Sequence, residues 1–215
     1  MPSRTRVKIC GITRPEDAVL AARLGADALG LMFYTGSKRH ISLAQAQAIR
    51  AVVPAFVSLV GLFVNPTRTQ VQDVLAAVHL DCLQFHGDED PDFCASFGVP
   101  YLKALRMAPD LDDAGIDALI RRHSRANAIL LDAWDPVQAG GTGKTFDWAR
   151  AAQCVERSTL PIVLAGGLEA DNAARAIETV KPWALDLSSG VESEPGIKDP
   201  KRLQAFFDEV NRVRI

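Results

Sequence analysis

The chain carries no excess of charge of either sign. Its 24 lysines and arginines nearly balance 26 aspartates and glutamates, for a formal net charge of −2. A general nucleic-acid binder usually shows a basic domain or stripe. The basic clusters here, Arg4/Arg6/Lys8 and Arg121/Arg122/Arg125, are short and read as solvated faces, so nucleic acid is not an expected partner. Long hydrophobic runs are also missing. Stretches such as Ala51 to Asn65 are interrupted by Pro54 and Ser58 and are too short to span a bilayer. The N-terminus is polar and lacks the apolar core of a signal peptide, so no membrane or export role is expected. Cysteine is scarce: Cys10, Cys82, Cys94 and Cys154 lie far apart with no CxxC pair. That pattern suits reduced thiols in a cytoplasmic protein and opposes a disulfide frame or a zinc site. The histidines, His40, His79, His86 and His123, are dispersed without metal-ligand spacing, so no metal is expected.

What is present is apolar sequence, 48% of 215 residues, in a regular rhythm. Short apolar runs read as strands: Val7 to Cys10, Ala28 to Phe33, Val57 to Val64, Cys82 to Phe85, Tyr101 to Leu105, Ala128 to Leu131, Ile162 to Ala165 and Ala184 to Leu187. Amphipathic stretches alternate with them as helices: Pro15 to Leu24, Leu43 to Val53, Thr67 to Val78, Pro91 to Phe97, Asp112 to His123, Phe146 to Cys154, Ala170 to Val180 and Pro200 to Arg212. Continuous apolar runs are what a parallel sheet buried on both faces requires. Eight such units, of about 27 residues each, exceed the five or six strands of an open doubly wound sheet and favour a single (β/α)8 TIM barrel. No Ser/Gly/Pro-rich linker divides the chain, so residues 1–215 are expected to form one domain.

In such a barrel the chemistry sits at the C-terminal ends of the strands. Those ends carry Cys10 with Gly11, Phe33 with Tyr34, Asn65, His86 with Gly87, Arg106, Asp132, Gly166 with Gly167, and Ser188 to Gly190. Strand alternation puts Lys8 on the same side as Cys10, where its charge would favour a thiolate. Asp132, a carboxyl at the end of a buried run, must be hydrogen-bonded, paired or functional. A thiolate base and a carboxylic acid at one barrel mouth suit proton shuttling in an isomerisation better than hydrolysis. Gly166-Gly167 and Ser188-Ser189-Gly190 follow strands seven and eight, where barrels often hold phosphate on bare backbone N–H groups. Arg39 after strand two is able to grip an anion with its planar fork. Each residue also has a plainer reading: Cys10 as a small buried hydrophobe, Asp132 as a loop cap, His86 as a satisfied structural histidine, and the glycines as ordinary turns. Gly140-Gly141-Thr142-Gly143-Lys144-Thr145 looks like a nucleotide-binding loop, but the required first glycine is Gln138. A mobile loop over the site is the better expectation for Gly140 to Gly143.

The strand-end motifs together resemble the phosphoribosylanthranilate isomerases of tryptophan biosynthesis. The resemblance runs in order along nearly the whole chain. It includes Lys8-Ile9-Cys10-Gly11-Ile12-Thr13, Ser37-x-Arg39, Val60 to Asn65, Leu83-Gln84-Phe85-His86-Gly87-Asp88-Glu89 and Leu131-Asp132-Ala133. It closes with Gly140 to Gly143, Leu164-Ala165-Gly166-Gly167-Leu168, Asp186 to Glu192 and Pro195-Gly196-x-Lys198-Asp199. The resemblance implies a cofactor-free Amadori rearrangement of a phosphorylated aminoaldose to a ketose. It implies Cys10 as the base acting at C2 and Asp132 as the acid that opens the ribose ring. Arg39 would hold the anthranilate carboxylate, His86 would line the substrate site, and Gly166, Gly167, Ser189 and Gly190 would bind the phosphate. The protein would work as a monomer or homodimer in the cytoplasm. Two other readings compete. The related sugar isomerase of histidine biosynthesis resembles a duplicated half-barrel with an Asp ending strand one, whereas here that strand ends in Cys10 without a convincing half-chain repeat. A non-catalytic phosphosugar-binding barrel would be expected to lose Cys10 or Asp132, and both are present.

Overall fold

In a computed structural model of the chain, residues 4–133 and 147–213 are described. Eight parallel strands close on themselves in chain order. They are β1 Arg6–Ile9, β2 Ala28–Met32, β3 Ser58–Phe63, β4 Cys82–Phe85, β5 Tyr101–Met107, β6 Ala128–Ala133, β7 Ile162–Leu164 and β8 Ala184–Leu187. The barrel closes between β8 and β1, with Lys8 opposite Asp186 and Ile9 opposite Leu187. Around it lie α1 Pro15–Leu24, α2 Leu43–Arg50, α3 Arg68–Ala77, α4 Pro91–Ala95, α5 Asp113–Arg122, α6 Trp148–Arg157, α7 Ala170–Val180 and α8 Pro200–Arg212. This is the (β/α)8 barrel that the rhythm of apolar runs predicts. The Gly140–Gly143 loop lies outside the described residues.

Local chemistry sets the helix bounds. Pro15, Pro91 and Pro200 open α1, α4 and α8, at the turn where a missing N–H costs nothing. Ser42 with Gln45 and Thr67 with Gln70 form capping boxes that satisfy free N–H groups of α2 and α3. Gly25, at φ 111°, ends α1 in a left-handed cap that a side chain would strain. Helix α2 stops at Arg50 rather than Val53: the chain leaves it through tighter i→i+3 bonds at Val52 and Val53, and Pro54 bars Val53 from continuing it. Strands β5 and β6 run two residues beyond their apolar runs, with Arg106 paired to Asp132 and Met107 to Ala133. One element went unanticipated: a short 3-10 turn, Ser189–Val191, leads into a hairpin of β9 Glu192–Glu194 and β10 Ile197–Lys198, turned at Gly196 with φ 88°.

The core has two shells. The larger lies between strands and helices, where outward residues such as Ile9, Leu29, Leu83, Leu131 and Leu185 pack on Ala18, Ile49, Ile120 and Phe206. The smaller fills the barrel itself with Leu102, Ala104, Ala128, Leu130, Val163, Ala165 and Ala184. Its apolar side chains come from β5 to β8 only. Elsewhere the interior mixes Leu62 of β3 with buried polar groups, Lys8, Gln84, His86, Asp132 and Asp186, each at most 6% exposed. That division places charge inside the barrel before any ligand arrives. Among the described residues, no helix is long and apolar enough to cross a membrane.

Candidate active site

Strand alternation turns Lys8 and Cys10 toward the barrel axis, and glycine on the next strand makes room for them. A Cβ on Gly30 would lie 2.8 Å from Cys10 Sγ and 3.1 Å from Lys8 Nζ. Lys8 Nζ donates to Asp186 Oδ1 at 2.8 Å, bridging β1 and β8 inside the barrel. Burial alone would lower the Lys8 pKa, but Asp186 and Cys10 outweigh it and hold the ammonium charged above the usual lysine range. The Cys10 thiol behaves differently from the sequence expectation. Burial pushes its pKa up, and Lys8 offsets only part of that rise because its charge is already shared with Asp186. Lys8 therefore does not bring the thiol pKa below its ordinary value.

Across the pocket, Asp132 in β6 accepts the Ala133 backbone N–H on Oδ1 at 2.9 Å. Its Oδ2 lies 3.1 Å from His86 Nε2. His86 Nδ1 in turn lies 3.1 Å from Nε2 of Gln84, which is wholly buried on β4. Arg39 is 7% exposed and its guanidinium meets Glu192 in a fork, Nε at 2.9 Å from Oε1 and Nη2 at 2.7 Å from Oε2. Lys198 donates to the same carboxylate at 2.8 Å and to Cys10 O at 2.6 Å. Ser188 Oγ and the Gly196 N–H also donate to Glu192. Burial opposes ionisation of Glu192, but Arg39 and Lys198 together pull its pKa below the ordinary carboxylate value.

One pocket at the C-terminal mouth of the barrel is lined by Cys10, Arg39, His86, Asp132, Gly166, Gly167 and Ser189. Gly190 stands directly behind Ser189, and any Cβ there would collide with the Leu168 carbonyl. The loops after β7 and β8 thus press against each other through bare backbone. Gly166 and Gly167 both have positive φ, 86° and 62°, and a Cβ on Gly166 would lie 2.6 Å from Ala133 N. Two other strand-end residues do not reach this pocket. Asn65, at φ 46°, accepts the Asp88 N–H, and Arg106 pairs outward with Asp88. Lys8 stands beside Cys10 as strand alternation predicts, whereas Gln84, Asp186, Glu192 and Lys198 were not singled out as site residues from sequence. For Asp186, a charged residue inside the apolar strand Ala184–Leu187, that position was the available signal.

The site defines a class: a barrel isomerase, with a thiol and a carboxyl facing one cavity beside loops suited to an anion. Comparison with known proteins narrows it. The family model for N-(5'-phosphoribosyl)anthranilate (PRA) isomerase matches residues 7–209, and the chain belongs to that family. The N-(5'-phosphoribosyl)anthranilate isomerase of Pseudomonas putida is 49% identical over 211 residues, covering 98% of this chain and all of that protein. The crystal structure of the Thermotoga maritima enzyme superposes with a TM-score of 0.87 at 36% identity, covering 97% of this chain and 100% of that one. A further phosphoribosylanthranilate isomerase structure holds reduced 1-(o-carboxyphenylamino)-1-deoxyribulose 5-phosphate. It superposes with a TM-score of 0.84 at 35% identity, covering 97% of this chain and 100% of that one.

The Glu192 cluster generates a stability prediction. Glu192→Gln leaves Arg39 and Lys198 buried without their counter-charge, and the loss is expected to be about 3–5 kcal/mol at pH 7. Because the folded-state pKa of Glu192 is depressed, its contribution is fully present above the unfolded value of about 4.3 and is lost as pH falls through the lower folded value. Urea unfolding from pH 7 to pH 3 should therefore show the gap between wild type and Glu192→Gln closing in acid. A gap independent of pH would contradict the assignment.

Proposed function

We propose that the chain catalyses the Amadori rearrangement of N-(5-phosphoribosyl)anthranilate to 1-(2-carboxyphenylamino)-1-deoxyribulose 5-phosphate, as a step of tryptophan biosynthesis. The observation that carries this reading is one pocket lined jointly by Cys10, Asp132, Arg39 and the glycine loops after β7 and β8. Asp132 acts as general acid and gives its proton to the ribose ring oxygen. The C1–O bond breaks, and the nitrogen lone pair forms an iminium at C1. Cys10, as thiolate, removes the proton from C2, and the freed pair forms the C1=C2 bond of an enolamine. Ketonisation moves the C2 hydroxyl proton off and places one on C1, so the product is an isomer and the proton transfers balance without a net oxidant or reductant. Arg39 holds the anthranilate carboxylate and His86 flanks the ring. Backbone N–H groups at Gly166, Gly167, Ser189 and Gly190 hold the phosphate.

The raised pKa of Cys10 gives this scheme a pH signature. The thiolate fraction of the free enzyme grows as pH rises, so kcat/KM should climb on the alkaline side of neutrality. Turnover is followed by the loss of anthranilate fluorescence from freshly made substrate. Cys10→Ser and Asp132→Asn are each expected to lower kcat by roughly 10²–10⁴-fold. Near-normal kcat in both variants, or turnover of the histidine-pathway phosphoribosyl substrate instead, would reject the assignment.

The reading includes one barrel domain spanning residues 1–215, working in the cytoplasm as a monomer or homodimer. The Thermotoga maritima enzyme is described as dimeric. Here Phe56, in the loop that enters β3, is fully exposed at φ 71° and offers a second copy an apolar anchor at the N-terminal rim. Sedimentation equilibrium should then find a dimer in the wild type that Phe56→Ser weakens; a wild-type monomer at all concentrations would leave the monomer as the working form.

A further inference from the structure

Gln84 is wholly buried on β4, lines the pocket and has no place in the proton transfers described above. A buried amide inside a barrel is costly unless its hydrogen bonds matter elsewhere. Its Nε2 lies 3.1 Å from His86 Nδ1, while its Oε1 has no hydrogen-bond partner among the described residues. An amide nitrogen can only donate. Nδ1 must then present its lone pair, and the ring proton sits on Nε2, pointed at Asp132 Oδ2 3.1 Å away. As placed, the amide leaves its carbonyl and one N–H without a partner among the described residues; the reverse orientation would leave both N–H donors unpaired, and an orphaned buried N–H is rarer than an under-satisfied carbonyl.

The consequence falls on the acid. Asp132 Oδ1 already accepts the Ala133 N–H, and Oδ2 accepts from His86. A histidine that donates from Nε2 cannot also take a proton there. The acidic hydrogen of Asp132 is thus barred from the ring nitrogen and left to point into the pocket. We infer that Gln84 is a positioning residue that fixes the Nε2–H tautomer of His86 and thereby directs the Asp132 proton toward the substrate. This rests on the reading of Asp132 as general acid.

Gln84→Glu keeps the shape and reverses the instruction, because a carboxylate accepts from Nδ1–H and turns Nε2 into an acceptor. The test uses the intact protein labelled with 15N-histidine, with His86→Asn identifying the His86 signals among the four histidines. The wild type should show a protonated Nε2 and a bare Nδ1, and Gln84→Glu should lose that pattern. In the fluorescence assay Gln84→Glu should lower kcat by roughly 10- to 100-fold with KM changed by no more than about threefold. A wild-type His86 protonated at Nδ1, or Gln84→Glu with unchanged kcat, overturns the inference. Should Gln84→Glu fail to fold, the wild-type spectrum decides. Asp132→Asn is run alongside: retained activity there defeats the general-acid reading itself, whereas an inactive Asp132→Asn beside a fully active Gln84→Glu defeats only the role of Gln84.

Discussion

The carboxylate of Glu192 is the point on which the mouth of the barrel depends. It accepts from Arg39, Lys198, Ser188 and Gly196, four groups that belong to the loop after β2, the hairpin, and the end of β8. Lys198 carries the connection onward to the Cys10 carbonyl at the end of β1. Two buried cations on one buried carboxylate are tolerated only because their hydrogen bonds are nearly all satisfied. The arrangement also leaves net positive charge at the mouth, beside loops whose N–H groups are bare. An anionic substrate meets a site whose donors were oriented during folding, so little reorganisation is left for the moment of binding.

A second buried pair, Lys8 with Asp186, works along the barrel axis beneath the first. It belongs to the polar layer of the interior that carries Cys10, His86 and Asp132, beside an apolar filling from β5 to β8. Gly30 is the geometric condition for that layer, since any side chain there would occupy the space of the thiol and the ammonium. Cys10 shows how burial and charge compete: the lysine beside it is charged, yet desolvation still dominates the thiol. The thiol therefore holds its proton more tightly than a free cysteine does.

Much of this was legible in the chain. The apolar runs, Pro15 with Gly25 around α1, and the polar residue closing each run gave the barrel and placed Cys10, Arg39, His86 and Asp132 at its mouth, because these are local features with a fixed period. The pairings were not legible. Lys8 and Asp186 lie 178 positions apart and meet only because β8 closes on β1. Glu192 and Lys198 come together through a hairpin that their short, half-polar segments do not announce. The thiol's upward shift depends on depth of burial, which no spacing rule reports.

In the proposed reaction one mouth holds the substrate at both anionic ends, with Cys10 and Asp132 between them. Its most direct test is a crystal structure of this protein with the reduced product analogue that a relative has already been found to bind. The phosphate should be held by backbone N–H groups at Gly166, Gly167, Ser189 and Gly190, the aromatic carboxylate should meet Arg39, and C2 should face Cys10 with Asp132 on the other side. An analogue seated outside this pocket, or one with its phosphate on Arg39 and its carboxylate on the glycine loops, would contradict the account.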